Sequence, residues 1–301
     1  MTPVARRSIR LEFELGLVPT FALYRRGPHD PTMRLSSHEL WRAVLTPDGP
    51  ATVHLVHEGD RLAARAWGPG AARVMDELPS FVGADDDPGA LRTSHPVVRD
   101  LARRLRGLRI GRSGRVIEAL FPAILEQKVT TVEAHGAFRH MCFVWGEPAP
   151  GPMKLRLPPA PEVLAAKPYY DYHRFNVPRT KAEVIRAVCA RARKVEEATE
   201  MTPVDAEKRL RHFAGVGAWT AAEVAARAFG DPDVVSVGDF HLPHHVSWVL
   251  AGEPRSDDDR MLELLEEFRG QRQRVIRLIE AGTSGPPRRA PRARVRAITA
   301  I

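Results

Sequence analysis

The stretch Arg209-Leu-Arg-His-Phe-Ala-Gly-Val-Gly-Ala-Trp-Thr-Ala-Ala-Glu-Val224 constrains the fold more than any other part of the chain. Val204 to Phe213 reads as a helix, and Ala218 to Phe229 as a second, alanine-rich one. The turn between them, Gly215-Val216-Gly217, has little room for side chains. Glycine suits it because the backbone must pass through positive φ with no Cβ in the way. The second helix starts directly after the turn, so its free N–H groups and the amides of the turn point outward together. Such a donor cluster suits a phosphate oxygen. Half of a dinucleotide fingerprint fits poorly: a helix precedes the glycines instead of a strand, and Thr220 stands where a third glycine belongs. A plain helix–helix corner, its glycines serving only close packing, fits as well as anion binding does. The hairpin alone does not choose between them.

Charge adds weight to the anion. The chain carries 45 basic against 37 acidic residues, a net charge of +8 and a pI near 10.0. That balance favours a polyanionic partner, although arginine-rich proteomes also yield basic proteins without one. The 301 residues suffice for two domains and a tail. The two cysteines, Cys142 and Cys189, sit in helical patterns and fit buried, reduced thiols; two thiols cannot supply a four-cysteine iron–sulfur site. No apolar run reaches transmembrane length, and the start, Met1-Thr-Pro-Val-Ala-Arg-Arg7, is too polar for an export leader.

The fold class expected is α+β. Residues 1–84 read as a β-rich module: Ser8 to Leu15 alternates with period two, and strand signals recur at Ala51–Val56 and Arg61–Trp67. Pro47-Asp-Gly-Pro50 and Glu58-Gly-Asp60 supply the turns, and Gly70 to Leu78 suggests one short helix. Gly83 to Gly89 reads as a linker. From Pro96 the period becomes helical, and residues 85–283 form an all-helical domain with segments at 161–167, 178–200, 204–213, 218–229, 240–251 and 257–281. Ser113 is expected to cap the helix carrying Val116, Ile117, Leu120, Phe121, Ile124 and Leu125, and Pro122 to kink it. A helix from Thr131 to Trp145 leads into the proline-rich bridge Gly146 to Pro161. Residues 284–301 are a basic, proline- and arginine-rich tail, either a solvated extension or an electrostatic arm for phosphates.

One carboxylate stands out. Asp239, in Val237-Gly-Asp-Phe-His-Leu-Pro243, precedes a helix and is placed as an N-cap. The helix dipole also favours its ionised form, the state needed opposite a developing positive charge. Trp219 opens the other hairpin helix, and the short connection allows both residues to face one cleft.

Gly215-Val-Gly-Ala-Trp-Thr-Ala followed by Val237-Gly-Asp239 resembles the helix-hairpin-helix DNA glycosylase superfamily, and within it the AlkA-type 3-methyladenine DNA glycosylase II branch. Ala119 to Thr130, with its Ile-Leu-Glu-Gln-Lys-Val-Thr run, resembles a segment of that branch. So do the Leu157-Pro-Pro-Ala-Pro-Glu-Val-Leu164 bridge and the β-rich N-terminal module. The resemblance implies a DNA repair enzyme, a monomer in the cytoplasm associated with the nucleoid, acting on damaged double-stranded DNA with no cofactor. It would flip a nucleotide out of the duplex and cut its N-glycosidic bond. Asp239 would stabilise the oxocarbenium-like sugar and orient the water; Trp219, with Glu223, would line the base pocket. Gly215, Val216, Gly217 and Thr220 of the hairpin would contact DNA, as would Gln127 and Lys128, and hairpin carbonyls near Phe213 and Val216 would offer a monovalent cation site. Trp219 occupies the place of the lysine nucleophile of glycosylase-lyases. The implied enzyme is therefore a monofunctional hydrolase that excises alkylated purines.

The chain departs from that pattern at three places. Glu223 replaces a frequent aromatic. Lys128 stands where leucine or glutamine commonly wedges into the duplex, and the aromatic usual near Phe268 to Arg274 is missing. His241-x-x-His244-His245 has metal-ligand spacing without a third ligand, and fits a partly exposed first helical turn better. Tyr169-Tyr-Asp-Tyr172 and Phe175 fit a core cluster better than a stacking platform. Two rival functions remain: a non-enzymatic binder of distorted duplex, and a bifunctional oxidised-base glycosylase-lyase.

Overall fold

The computed structural model describes residue 2 and residues 4–287. The expectation for the tail falls almost wholly outside them. Near the N-terminus five antiparallel strands, β1 (Ala5–Arg10), β2 (Met33–Leu35), β3 (Glu39–Thr46), β4 (Gly49–Glu58) and β5 (Arg61–Trp67), form one sheet in the order β1-β5-β4-β3-β2. β1 stops at Arg10, which pairs with Arg61, the first residue of β5. Beyond that point no ladder partner remains, so the alternation from Leu11 to Leu15 leaves the sheet, and Leu11 and Leu15 turn into the core. β3 carries no period-two signal because both its faces are covered. Leu40 and Val44 pack under the short helices α1 (Leu17–Phe21), α2 (Ala71–Asp76) and α3 (Leu78–Phe81). Trp41 and Ala43 pack under Leu155 and Leu157 of the bridge. A strand buried on both sides reads as a continuous apolar run.

The helical part is built from α4 (Pro96–Arg104), α5 (Val116–Glu126), α6 (Thr131–Val144), α7 (Pro161–Ala166), α8 (Arg179–Cys189), α9 (Ala192–Glu196), α10 (Pro203–Arg211), α11 (Ala218–Val224), α12 (Leu242–Ala251), α13 (Asp258–Leu265) and α14 (Arg272–Gly282). α11 runs on as a π-helical turn, Ala225–Phe229. These helices divide between two cores. One gathers α5 to α11, with Cys142, Tyr172, Phe175 and Cys189 buried in it. The other gathers α4 with α12, α13 and α14. The chain thus enters one core, leaves to build the other, and returns after Gly230.

Four local expectations change. The run 178–200 breaks at Ala190–Arg191, and 257–281 breaks at Gly270, whose φ of 89° ends the helical path. Ser113 does not cap α5: the carboxylate of Glu196 accepts the N–H groups of Val116 and Ile117, each at 2.8 Å, from eighty residues away. The segment 83–89 is not a free linker either. Asp86 turns inward, accepts the Ile110 N–H at 2.9 Å and pairs with Arg109 and Arg274. Together with Arg26–Glu126 at 2.8 Å, Arg42–Glu118 and Arg115–Glu77, these pairs clamp the sheet module onto the helices.

Candidate active site

The site lies where the two helical cores meet, at α11 and the start of α12. α12 begins at Leu242, and Asp239 sits just before it. One carboxylate oxygen of Asp239 accepts the N–H groups of His241 (2.7 Å) and Leu242 (2.8 Å); the other accepts the indole N–H of Trp219 at 3.0 Å. The sequence pair Trp219 and Asp239 is therefore in direct contact, and the half-buried carboxylate is fixed by three donors. The loop that delivers it is tied down. Gly238, at φ 90°, donates its N–H to Asp258 at 2.9 Å. Asp233 accepts the N–H groups of Gly270 and Arg272 and pairs with the Arg272 guanidinium. Burial raises the Asp233 carboxyl, but these donors outweigh it and hold it below its ordinary value.

The hairpin divides its labour between backbone and side chains. Gly215 turns through φ 89°, and a Cβ there would meet Val184 of α8 at 2.3 Å. Gly217 does not need positive φ: it is extended at φ −90°, ψ −177°, with open space where a Cβ would go. Val216 and Thr220 turn inward, so their side chains serve packing; what faces solvent is the backbone of Gly215 and Gly217. Gln127 also spends its amide inside, donating to the Gly215 carbonyl and the Thr220 hydroxyl, both at 2.9 Å. The Phe213 carbonyl accepts the Val216 N–H at 2.9 Å, which engages one of the oxygens placed near a cation.

Lys128 stands exposed at the tip of the next turn with φ 51°, a conformation that costs a non-glycine residue about 1–2 kcal/mol. Both flanks hold it there. Behind it, buried Lys181 donates to the Leu125 carbonyl at 2.7 Å, and burial lowers its amine to about 8. Ahead of it, Thr130 and Glu133 form a reciprocal capping box on α6.

Glu223 reaches Arg227 (2.5 Å) with one oxygen and the Ser236 hydroxyl (2.6 Å) with the other. Arg227 in turn donates to the Leu23 carbonyl at 3.1 Å, and its own carbonyl accepts the Tyr24 hydroxyl at 2.9 Å. The N-terminal module thus supplies part of this wall. Ser236, Arg227, Glu280 and Phe240 were not singled out in the sequence. Arg227 lies one helical turn beyond Glu223, a spacing that could have found it; the other three carry no local signal. Glu280, paired with Arg277 at 3.3 Å, has a side chain 46% accessible. Its carboxyl is raised, first by burial and then, against Arg277, by the charge of Glu223. Among the histidines, His244 Nδ1 accepts the Ser256 N–H at 3.0 Å, and His245 Nε2 lies 2.9 Å from the Thr283 hydroxyl. Two surface hollows, of about 370 and 750 Å³, lie elsewhere: one between Pro31 and the bridge, the other beside Leu11–Gly16.

No family model and no curated protein matches the chain. Solved structures do, and the likeness shows the fold: the chain is folded like helix-hairpin-helix DNA glycosylases. It is similar to a 3-methyladenine DNA glycosylase from Archaeoglobus fulgidus, with TM-score 0.75 and 20% identity over 91% of this chain and 97% of that one. It is also similar to MBOgg1 in complex with a low-affinity DNA ligand, with TM-score 0.72 and 16% identity over 93% and 95%. A third likeness is to the 8-oxoguanine glycosylase/lyase of Clostridium acetobutylicum bound to double-stranded DNA, with TM-score 0.70 and 12% identity over 93% and 97%. The fold therefore accommodates both alkylated-base and oxidised-base enzymes.

Proposed function

We propose that this protein is a monofunctional DNA glycosylase that flips a damaged purine out of duplex DNA and hydrolyses its N-glycosidic bond, with alkylated purines as the substrate class. The observation that carries the reading is the Asp239 carboxylate, fixed at the junction of α11 and α12 by Trp219 and two backbone donors. A carboxylate preset at the sugar stabilises oxocarbenium character without reorganising during the reaction, and it can orient the attacking water. An N3- or N7-alkylated purine is cationic and departs neutral, so little leaving-group protonation is required. Arginines and Lys128 supply salt-sensitive affinity for the backbone.

Asp239→Asn tests the reading. The variant retains binding to an abasic-analogue duplex and loses base release from alkylated DNA about 10²–10³-fold, the loss typical of removing one electrostatic stabiliser. Unchanged release rejects the chemistry, and absence of release by the wild type favours a non-enzymatic binder of distorted duplex. The likeness to a glycosylase/lyase favours a second reading, an oxidised-base enzyme with an amine nucleophile. Against it, Trp219 occupies the position next to Asp239, and Lys181, the amine with the lowered pKa, is buried beneath α5 and donates to a carbonyl. Borohydride trapping of a covalent DNA adduct would decide for the lyase.

A further inference from the structure

Phe240 directly follows Asp239 and is 78% exposed, the most exposed aromatic ring among the described residues. A lone exposed ring is ordinary at a protein surface; this one is distinguished by its place directly beside the Asp239 carboxylate. Its position is fixed from both sides. Asp239 is locked by its three donors, and the rings of His241 and His244 flank Phe240 edge-to-face, with centroids at 4.9 and 6.2 Å and interplanar angles of 84° and 75°. Neither imidazole stacks in parallel on it, and 78% of the residue remains accessible. His244 is itself held by the Ser256 N–H.

Hydrogen bonds and chain neighbours connect the ring to Lys128. Exposed Lys128 adjoins Gln127; Gln127 bonds Gly215 and Thr220; Trp219, next to Thr220, bonds Asp239; and Phe240 ends the line. On the reading that Asp239 faces the sugar of an extruded nucleotide, a ring one residue away lies beside that sugar. We propose that Phe240 is a further DNA-binding residue, whose ring stacks on the face that the base adjoining the extruded nucleotide exposes to the gap, and holds that gap open. Every base has a π-face, so this contact is indifferent to sequence. The proposal rests on the assignment of Asp239, and the two are separable by experiment.

The test uses the full chain and duplexes containing a tetrahydrofuran abasic analogue, with 2-aminopurine placed on each side of it in turn. Base–aromatic stacking of about 1–3 kcal/mol corresponds to roughly a five- to hundredfold change in affinity. Phe240→Ala is expected to weaken binding by that factor and to change the 2-aminopurine fluorescence at one of the two positions, whereas Phe240→Trp retains both. Being solvent-exposed, the residue can be truncated without loss of folding, and thermal unfolding of each variant verifies this. If Phe240→Ala binds as tightly as wild type with unchanged fluorescence, while Asp239→Asn abolishes base release, the proposal falls and the active-site reading stands. If Asp239→Asn has no effect on release, that reading fails, and with it the placement of Phe240.

Discussion

Gly215 and Gly217 look equivalent in the sequence, and the structure sets them apart. Replacing Gly215 by alanine forces a side chain into φ 89° and sets its Cβ 2.3 Å from Val184 Cγ2. The backbone conformation costs about 1–2 kcal/mol, and the overlap about 1–3 kcal/mol more. Gly215→Ala therefore destabilises by roughly 2–5 kcal/mol. Gly217→Ala meets open space in an extended backbone and is expected to be neutral, or to stabilise by about 0.4–1 kcal/mol through the unfolded chain. Urea unfolding of the two variants measures the contrast. The overlap is separable from the backbone cost: in the double variant Gly215→Ala/Val184→Ala the clashing methyl is gone, so a coupling energy of about 1–3 kcal/mol should appear in the cycle. Equal effects of the two glycine substitutions, or no coupling to Val184, would refute this account of the turn.

Two further predictions concern charge. Burial alone would raise Glu126, but Arg26 and His135 outweigh it and hold its carboxyl at about 2, against an ordinary 4.5. A carboxyl lowered in the folded state stabilises above its unfolded pKa and loses that contribution as pH falls. Stability should therefore drop by about 3 kcal/mol between pH 4.5 and 2, and Arg26→Met should remove that step in a urea-unfolding series across the range. Separately, binding to undamaged duplex should weaken with salt, and Lys128→Ala should reduce the slope of log K against log salt by about 1. Buried Lys181→Met should leave that slope unchanged.

The sequence alone determined what is local. The positive-φ turn at Gly215, the helices on either side, and the place of Asp239 at a helix start all follow from residues within a few positions of one another. The resemblance resting on those residues also pointed to the fold that the solved structures share. Tertiary structure decided the partners. β3 is hidden in the sequence because burial on both faces removes the alternation that reveals a strand. The cap of α5 comes from Glu196, which no local pattern connects with Val116. Glu223 reads as a pocket residue until the fold brings Ser236 to one of its oxygens, and Phe240 reads as an ordinary helix-start residue until its exposure is known. Periodicity specifies which face of an element is apolar. Which other face meets it, and which polar groups are left to satisfy one another across the contact, is settled only when distant elements pack.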